Sequence, residues 1–325
     1  MKKLMKFLVG PSISLVIIVW ILSKTDFSRL SALLLTFHWK YIIVLVGIYL
    51  LGFLLRGLRW QIMLRPVKIV SLGSSTAIII IGYMANNLLP ARLGEIVRAL
   101  ALNRHEGISK TCSLSSIFFE RVFDGLALLA IFVLTAAFVP SNPEYQPIIH
   151  KIGLTASAIF LFCLAGIILV RIWPSLPENI ILRAKFIPAR IRERIVPLCR
   201  SVLEAMEFLK LDARLVLFLI LSLGVWTVEG GMYWAGMYAF GLPTDPLFAY
   251  FTLALVNFGI LIPSAPGNVG LFHGCVIIAF AVFSINRDVA LGYAIVVHAL
   301  QYIPITLLGL IFANGMSLRW RKLDE

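Results

Sequence analysis

Long apolar runs separated by short polar stretches dominate this 325-residue chain. Runs of about the length needed to cross roughly 30 Å of hydrocarbon lie at Phe7–Leu22, Tyr41–Leu55, Ser113–Val139, Ile152–Ile172, Leu215–Phe240 and Ala290–Ala313. Each predicts a transmembrane helix, because a helix satisfies its backbone polar groups internally. Two further runs are interrupted. Ala77–Val97 is broken by Asn86-Asn87 and by Pro90-Ala-Arg-Leu-Gly94, and Leu247–Phe283 by Pro263-Ser-Ala-Pro-Gly-Asn268. Irregular backbone at membrane depth survives only inside protein or against water, so each predicts a broken or re-entrant helical hairpin. Met1-Lys-Lys ahead of Phe7–Leu22 resembles a signal peptide, but no small-x-small cleavage pattern follows, and the segment reads as an uncleaved first helix.

The expected fold is therefore all-α: a polytopic membrane protein of about six full transmembrane helices plus two re-entrant hairpins. Positive charges orient it. Lys2, Lys3 and Lys6 precede the first span; Arg56, Arg59, Arg65 and Lys68 follow the second; Arg98, Arg104 and Lys110 follow the first hairpin. The stretch Arg171–Arg214 and the tail Arg319–Lys322 are also basic. All fall on one side if six helices cross and each hairpin returns to its own face, which puts both termini in the cytoplasm. Ser141–Gln146 and Gly241–Pro246 carry no Lys or Arg, as outside loops should; Lys24, Arg29 and Lys40 in the first outside loop depart from the pattern. Glu178–Lys210 reads either as an amphipathic connector lying on anionic lipid or as a solvated linker.

Composition agrees. The chain is 60% hydrophobic and 14% charged, with a mean hydropathy of +0.94, whereas a soluble domain carries about 25% charged residues. The net charge of +13 follows mostly from topology and calls for no nucleic acid. Cys112, Cys163, Cys199 and Cys275 show no CxxC spacing and read as small buried hydrophobes. The five histidines form no zinc pattern. No cofactor or metal is implied, and no catalytic residue stands out: a Gly-rich phosphate loop, a nucleophile elbow and a clustered Asp motif are all missing from the sequence.

The two breaks align. Leu88-Leu-Pro-Ala-Arg-Leu-Gly-Glu95 and Leu261-Ile-Pro-Ser-Ala-Pro-Gly-Asn268 share Leu, Pro and Gly at equal spacing, and the same offset lays Arg56-Gly57 over Glu229-Gly230. With the topology above, the halves form an inverted repeat, about residues 7–139 and 152–314. A single membrane unit over 1–325 then comprises the first repeat at 7–139 and the outside loop, fourth span and connector at 140–213. The rest of the second repeat follows at 214–314, and a cytoplasmic tail at 315–325. Discontinuous helices at matching places in inverted halves point to a transport site near the midplane.

The residue types at the breaks suit an anion. Pro90 and Pro263 fit first turns of second half-helices, whose N-termini would point free N–H groups inward. Arg92 adds a full positive charge, Arg98 follows, and Ser264 and Asn268 supply neutral donors and caps at the second break. Pro90, Gly94, Pro263, Pro266 and Gly267 shape the hairpins, and shaping a tight turn is the plainer reading of them all. Glu120, Arg121 and Asp124 lie inside one apolar span. Each charge there costs roughly 2.5–3.5 kcal/mol, so they need partners; Glu95, Arg92 and Arg98 are candidates. Headgroup binding or proton coupling and a buried structural lock are both open readings of this cluster. Glu229 stands alone in its span, with Arg56 its natural counter-charge. Asn257, His273, His298 and Gln301 read as interhelical glue.

Asn86-Asn-Leu-Leu-Pro-Ala-Arg-Leu-Gly-Glu-Ile-Val-Arg98, Phe118-Phe-Glu-Arg-Val-Phe-Asp-Gly125 and Pro263-Ser-Ala-Pro-Gly-Asn-Val-Gly270, in this order, resemble the lysylphosphatidylglycerol synthase transmembrane-region family. The resemblance implies a flippase-like protein of a bacterial or archaeal cytoplasmic membrane, with Arg92, Glu95, Arg98, Glu120, Arg121 and Asp124 along the headgroup path. In bifunctional members a C-terminal domain synthesises the aminoacylated lipid. No such domain follows the membrane unit in these 325 residues, so synthesis is not implied. The expected activity is binding of an anionic lipid headgroup, phospholipid or polyprenyl-phosphate-linked, and its translocation between leaflets. The rival expectation is a membrane enzyme, or an enzyme's partner, acting on lipid-linked substrates. Expected partners are membrane lipids; a second copy of the chain and a lipid-synthesising enzyme remain open.

Overall fold

A computed structural model describes residue 12 and residues 14–89, 93–139, 143–183, 203, 206, 213–242, 245–262 and 264–316. Among them there is no strand. The helices are α1 (residues 14–22), α2 (Phe27–Thr36), α3 (Tyr41–Leu64), α4 (Leu72–Leu88), α5 (Gly94–Glu106), α6 (Lys110–Ala136), α7 (Gln146–Ile172), α8 (Leu176–Arg183), α9 (Ala213–Ala239), α10 (Pro246–Gly259), α11 (Leu271–Val282) and α12 (Arg287–Gly315). By length and composition α3, α7, α9 and α12 can cross a membrane. α6 matches them at 27 residues but carries Glu120, Arg121 and Asp124 in its middle. The outward faces are those of a lipid-immersed protein: Leu154 and Phe162 on α7 are 70% and 81% exposed.

Both interrupted segments fold back on themselves. α4 and α5 pack antiparallel, with Gly82 against Gly94 and Arg98. α10 and α11 do the same, with Gly259 against Cys275 and Phe248 against Phe280, ring centroids 4.7 Å apart. The middle of α4 is apolar, with Ile78–Ile81 buried side by side around its circumference, the pattern of a helix enclosed by others. It starts where Ser71 accepts a hydrogen bond from the Ser74 amide at 3.0 Å. α5 stops at Gly107, whose φ of 72° supplies the left-handed C-cap.

The packing repeats. α3 packs on α4, α4 on α5 and α5 on α6; α9 packs on α10, α10 on α11 and α11 on α12. Across the halves, α4 meets α12 just as α10 meets α6, and α3 meets α9. Exchanging α3–α6 for α9–α12 leaves this pattern unchanged. α3 and α9 run antiparallel: Gly52 and Arg56 face Val228 and Glu229, whereas Leu55 and Arg59 reach Gly224 and Ser222. Gly57 and Gly230, matched by the sequence offset, each lie against the next helix, at Thr76 and Tyr250.

Three expectations change. α3 runs past Leu55 to Leu64, so Arg56 and Arg59 are not loop charges; they are 2% and 0% exposed, held inside by carboxylates. Arg98, at 2% exposed, is likewise internal. Of the charges read there as cytoplasmic, Arg65, Lys68, Arg104 and Lys110 are the exposed ones. The loop expected between the first two spans contains α2, whose Leu30 is buried and whose neighbour is α12. The second half of the second hairpin starts at Leu271, well after Pro263. A 3₁₀ turn at Pro266–Asn268 delays it, with Gly267, Asn268 and Gly270 at φ of 64°, 56° and 86°. Pro90, Arg92, Pro263, the basic tail and most of the amphipathic connector lie outside the described residues.

Candidate functional site: a polar cavity at the two helix breaks

Four arginines and four carboxylates gather where α3, α5, α6 and α9 meet. Arg98 holds Glu120 with both ends of its fork, Nη1–Oε1 at 3.1 Å and Nη2–Oε2 at 2.6 Å. Arg59 grips Asp124 the same way, at 2.5 and 3.2 Å, and also reaches Glu120 at 3.3 Å and the Ser222 hydroxyl at 3.2 Å. Paired parallel N–H···O bonds of this kind fix geometry as well as adding energy. Trp226 donates its indole N–H to Asp124 at 3.1 Å. Trp60 lies 3.8 Å from the Arg98 guanidinium and donates to Ser116 at 3.0 Å. Arg59, Arg98 and Glu120 are essentially fully buried. This part of the cluster is a buried lock that fastens α3, α5 and α6 together.

The rest of the cluster faces space. A cavity of about 600 Å³ lies between the two breaks. Arg56, Glu95, Arg121, Asp124 and Glu229 line it, together with Tyr49, Tyr83, Asn86, Asn87, Asn257, Ser264, Pro266, Gly267, Asn268, His298, Gln301 and Tyr302. Arg56 donates to Glu229, yet its Nε and Nη1 are buried without a hydrogen-bond partner; the Tyr83 and Trp226 rings, 5.8 and 5.4 Å away, take up part of that charge. Arg121 is held most loosely. Its side chain is 35% exposed and its carboxylate neighbours Asp124 and Glu120 stand 3.7 and 3.8 Å off. The structure thus separates the sequence-selected residues: Glu95, Arg121, Asp124, Ser264, Asn268, Arg56 and Glu229 border the cavity, whereas Arg98 and Glu120 sit behind it.

Arg59 belongs to this cluster, although hydropathy places it in a loop. Its signal was there: it stands three residues after Arg56 and one before Trp60, on the stripe that carries Tyr49, Gly52 and Phe53 into the core. At the first break, Asn86 accepts a hydrogen bond from the Gly94 amide at 2.8 Å, so part of the expected free N-terminus of α5 is already capped. At the second break Ser264 donates to Asn268 at 2.9 Å and Ser14 of α1 accepts from the Ala265 amide at 2.8 Å. Ser264 and Asn268 therefore shape the turn; α11 begins later, at Gly270–Leu271, without a side-chain cap. α12 touches both turns. His298 Nε2 lies 2.9 Å from the Gly267 carbonyl, Tyr302 donates to the Asn87 carbonyl at 3.0 Å, and Asn87 donates to Thr306 at 2.9 Å.

One side of the cavity is apolar. Leu128, Phe160, Phe258, Ile260 and Leu261 border it; Phe160 of α7 presses on Gly125 and lies 6.2 Å, ring to ring, from Phe258. Among the described residues no group of three or more His, Cys, Asp or Glu side chains converges as a metal cage would require.

An all-helical membrane protein with a charged cavity enclosed by two broken helical hairpins is the class these features define. The chain belongs to the lysylphosphatidylglycerol synthase transmembrane-region family, whose sequence profile matches residues 7–309. A UPF0104 membrane protein of Methanothermobacter thermautotrophicus is 25% identical over 332 residues, covering 97% of this chain and 93% of that one. MJ1078 of Methanocaldococcus jannaschii, also a UPF0104 membrane protein, is 23% identical over 228 residues, or 70% and 91% of the two chains. The glycosyltransferase AglD of Haloferax volcanii is 25% identical over 291 residues, 78% of this chain. The match takes in 45% of AglD, so the chain spans less than half of that relative's length. No solved structure matches the chain.

Proposed function

We propose that this protein binds an anionic lipid by its headgroup in the cavity and moves it between the leaflets of a bacterial or archaeal cytoplasmic membrane. The substrate class is a phospholipid or a polyprenyl-phosphate-linked lipid, and the chain does no chemistry on it. The observation that carries the reading is how the lining is sorted. A loosely held guanidinium, Arg121, shares one cavity with an apolar flank of Leu128, Phe160 and Phe258, which is what an amphiphile with an anionic head requires. A water-filled path for an ion or small solute has no use for such a flank.

In the proposed architecture residues 1–325 form one unit. Six helices cross, each hairpin returns to its own face, both termini are cytoplasmic, and the halves form an inverted repeat. The antiparallel packing of α3 on α9 and the exchange symmetry of the packed pairs support the repeat. Alternating access is then a rocking of one half against the other around the bound head. The test is lipid translocation by purified protein in liposomes, with headgroup-labelled anionic lipids and a membrane-impermeant quencher, with and without a proton gradient. Loss of inner-leaflet protection that depends on Arg121 is the expected result. Full protection of phospholipid and polyprenyl-phosphate probes under both conditions would overturn it.

A second reading, that the chain serves an enzyme acting on lipid-linked substrates, draws on one observation: the matched relative named a glycosyltransferase.

A further inference from the structure

We propose that Glu95 is a proton site: one proton from the surrounding water binds there together with the anionic headgroup, and the two enter and leave the cavity as a pair. The inference deepens the lipid-binding reading above and rests on it. The first argument is how the carboxylates are committed. Four belong to the cluster, and three are tightly held. Glu120 takes both ends of the Arg98 fork, Asp124 takes Arg59 and the Trp226 indole, and Glu229 takes Arg56. Glu95, in the first turn of α5, borders the cavity and has neither a hydrogen bond nor an ion pair among the described residues. Arg121, with Asp124 and Glu120 at 3.7 and 3.8 Å, leans on carboxylates that other arginines already hold, and Glu95 stands within its electrostatic reach.

The second argument is what a phosphate does once it arrives. On Arg121 it is a second anion beside Glu95, in an enclosure where charges are weakly screened. Two anions sharing one site cannot both stay ionised cheaply, and the phosphate, much the stronger acid, keeps its charge. Glu95 therefore yields by accepting a proton. A metal cation in its place would need several oxygen ligands. Among the described residues no group of three His, Cys, Asp or Glu converges, and the nearby Asn86 oxygen already accepts from the Gly94 amide. α5 packs on α4 and α6, which turn Tyr83, Arg121 and Asp124 to the cavity; Arg98 on its own helix turns away to Glu120. Arg56, Glu229 and His298 also line the cavity, and Arg92 precedes Glu95 by three positions in the sequence. Histidine is the side chain that ordinarily titrates near neutrality, so His298 is the rival that a test must separate from Glu95. Linkage is reciprocal: if the phosphate favours the proton, the proton tightens the lipid. A singly charged head that travels with a proton carries no net charge, so the proton gradient drives the step and the membrane potential does not.

The test is calorimetric binding of dihexanoyl phosphatidylglycerol to purified protein, in buffers of different ionisation heat so that proton uptake is read directly. The probe is a phosphate diester and lacks the second ionisation that a monoester has near pH 6. The parent protein is expected to bind it about tenfold more tightly at pH 5 than at pH 7.5, and to take up most of one proton per lipid at pH 5.5. Glu95→Gln, an uncharged copy of the protonated side chain, is expected to bind at pH 7.5 about as tightly as the parent does at pH 5, with no proton uptake. Should that variant fail to fold, Glu95→Ala is expected to lose the uptake in the same way. Equal affinity at both pH values, or affinity that follows sodium instead of pH, would overturn the proposal. So would proton uptake that persists in a folded Glu95 variant, the result expected if His298 were the site. If the probe binds at no pH, the lipid-binding reading itself fails.

Discussion

Arg56 and Glu229 hold each other across the protein, and they stand 173 positions apart. The same offset lays Leu88–Glu95 over Leu261–Asn268. In the inverted repeat proposed above each is the other's counterpart, and a two-fold relation brings counterparts together only at its axis. In a dimer of identical chains an on-axis residue meets its own copy, so an arginine there would meet an arginine. Two halves joined in one chain escape that constraint and can place opposite charges at the meeting point.

The first prediction concerns this pair. Removing one partner leaves a buried uncompensated charge, which costs about 3–5 kcal/mol, and Arg56 already has two nitrogens without hydrogen bonds. Glu229→Gln is expected to lower the melting temperature in detergent sharply. The double change Arg56→Met with Glu229→Met is expected to recover most of the loss. Equal melting points for single and double variants would show that the pair contributes nothing as a pair.

Arg98 and Glu120 are expected to behave as structure and Arg121 as function. Glu120→Gln breaks contacts to both Arg98 and Arg59 and should abolish monodisperse protein on size exclusion. Arg121→Ala removes a side chain with only distant ionic contacts. It should leave expression and melting within a few degrees of the parent while cutting lipid translocation by at least about tenfold.

Gly125 tests the apolar flank. A Cβ there would collide with the Phe160 ring, and such overpacking costs about 1–3 kcal/mol. Gly125→Val should therefore lower the melting point, and adding Phe160→Ala should restore it. Failure of the second change to rescue the first would place α7 elsewhere.

At the polar end of the first hairpin, burial raises the Glu106 carboxyl, but hydrogen bonds from Ser74 and Lys68 and the Lys68 charge together hold it below its usual value. A depressed carboxylate stabilises the fold above its unfolded value of about 4.3 and loses that contribution as pH falls through the lower folded value. Wild-type protein should thus lose more stability than Glu106→Gln between pH 6 and pH 3, by a small margin, since Lys68 is half exposed. Parallel melting curves across that range would refute it.

Hydropathy located the interruptions because a Pro- and Gly-bearing polar stretch within apolar sequence leaves few alternatives. It misplaced the end of α3, because a window that sums polarity cannot tell a solvated arginine from one facing a carboxylate three helices away. Only helical spacing relates Arg56 and Arg59 to Phe53 and Trp60. α2 was hidden because its ten residues are too few to register as a span and Lys24 and Lys40 flank it on either side. The start of α11 was hidden for another reason: Asn268 at a positive φ follows from the contacts around the turn, as when His298 meets the neighbouring Gly267 carbonyl. The separation of locking charges from cavity charges was out of reach, because Arg98 of α5 and Arg121 of α6 both reach Glu120 and only the packing of the helices decides which of them faces the cavity.

His298, Tyr302 and Thr306 recur every four residues, so one stripe of α12 bonds the second turn through the first of them and the first turn through the other two. Pro304 lies in the same helix, on the face opposite that stripe, and a proline leaves one carbonyl of the preceding turn without its helical donor. The two turns are thus strung on a single rod with a soft joint. A bend at that joint would let one turn swing while its twin stays fastened, and a straight rod would oblige both to stir together.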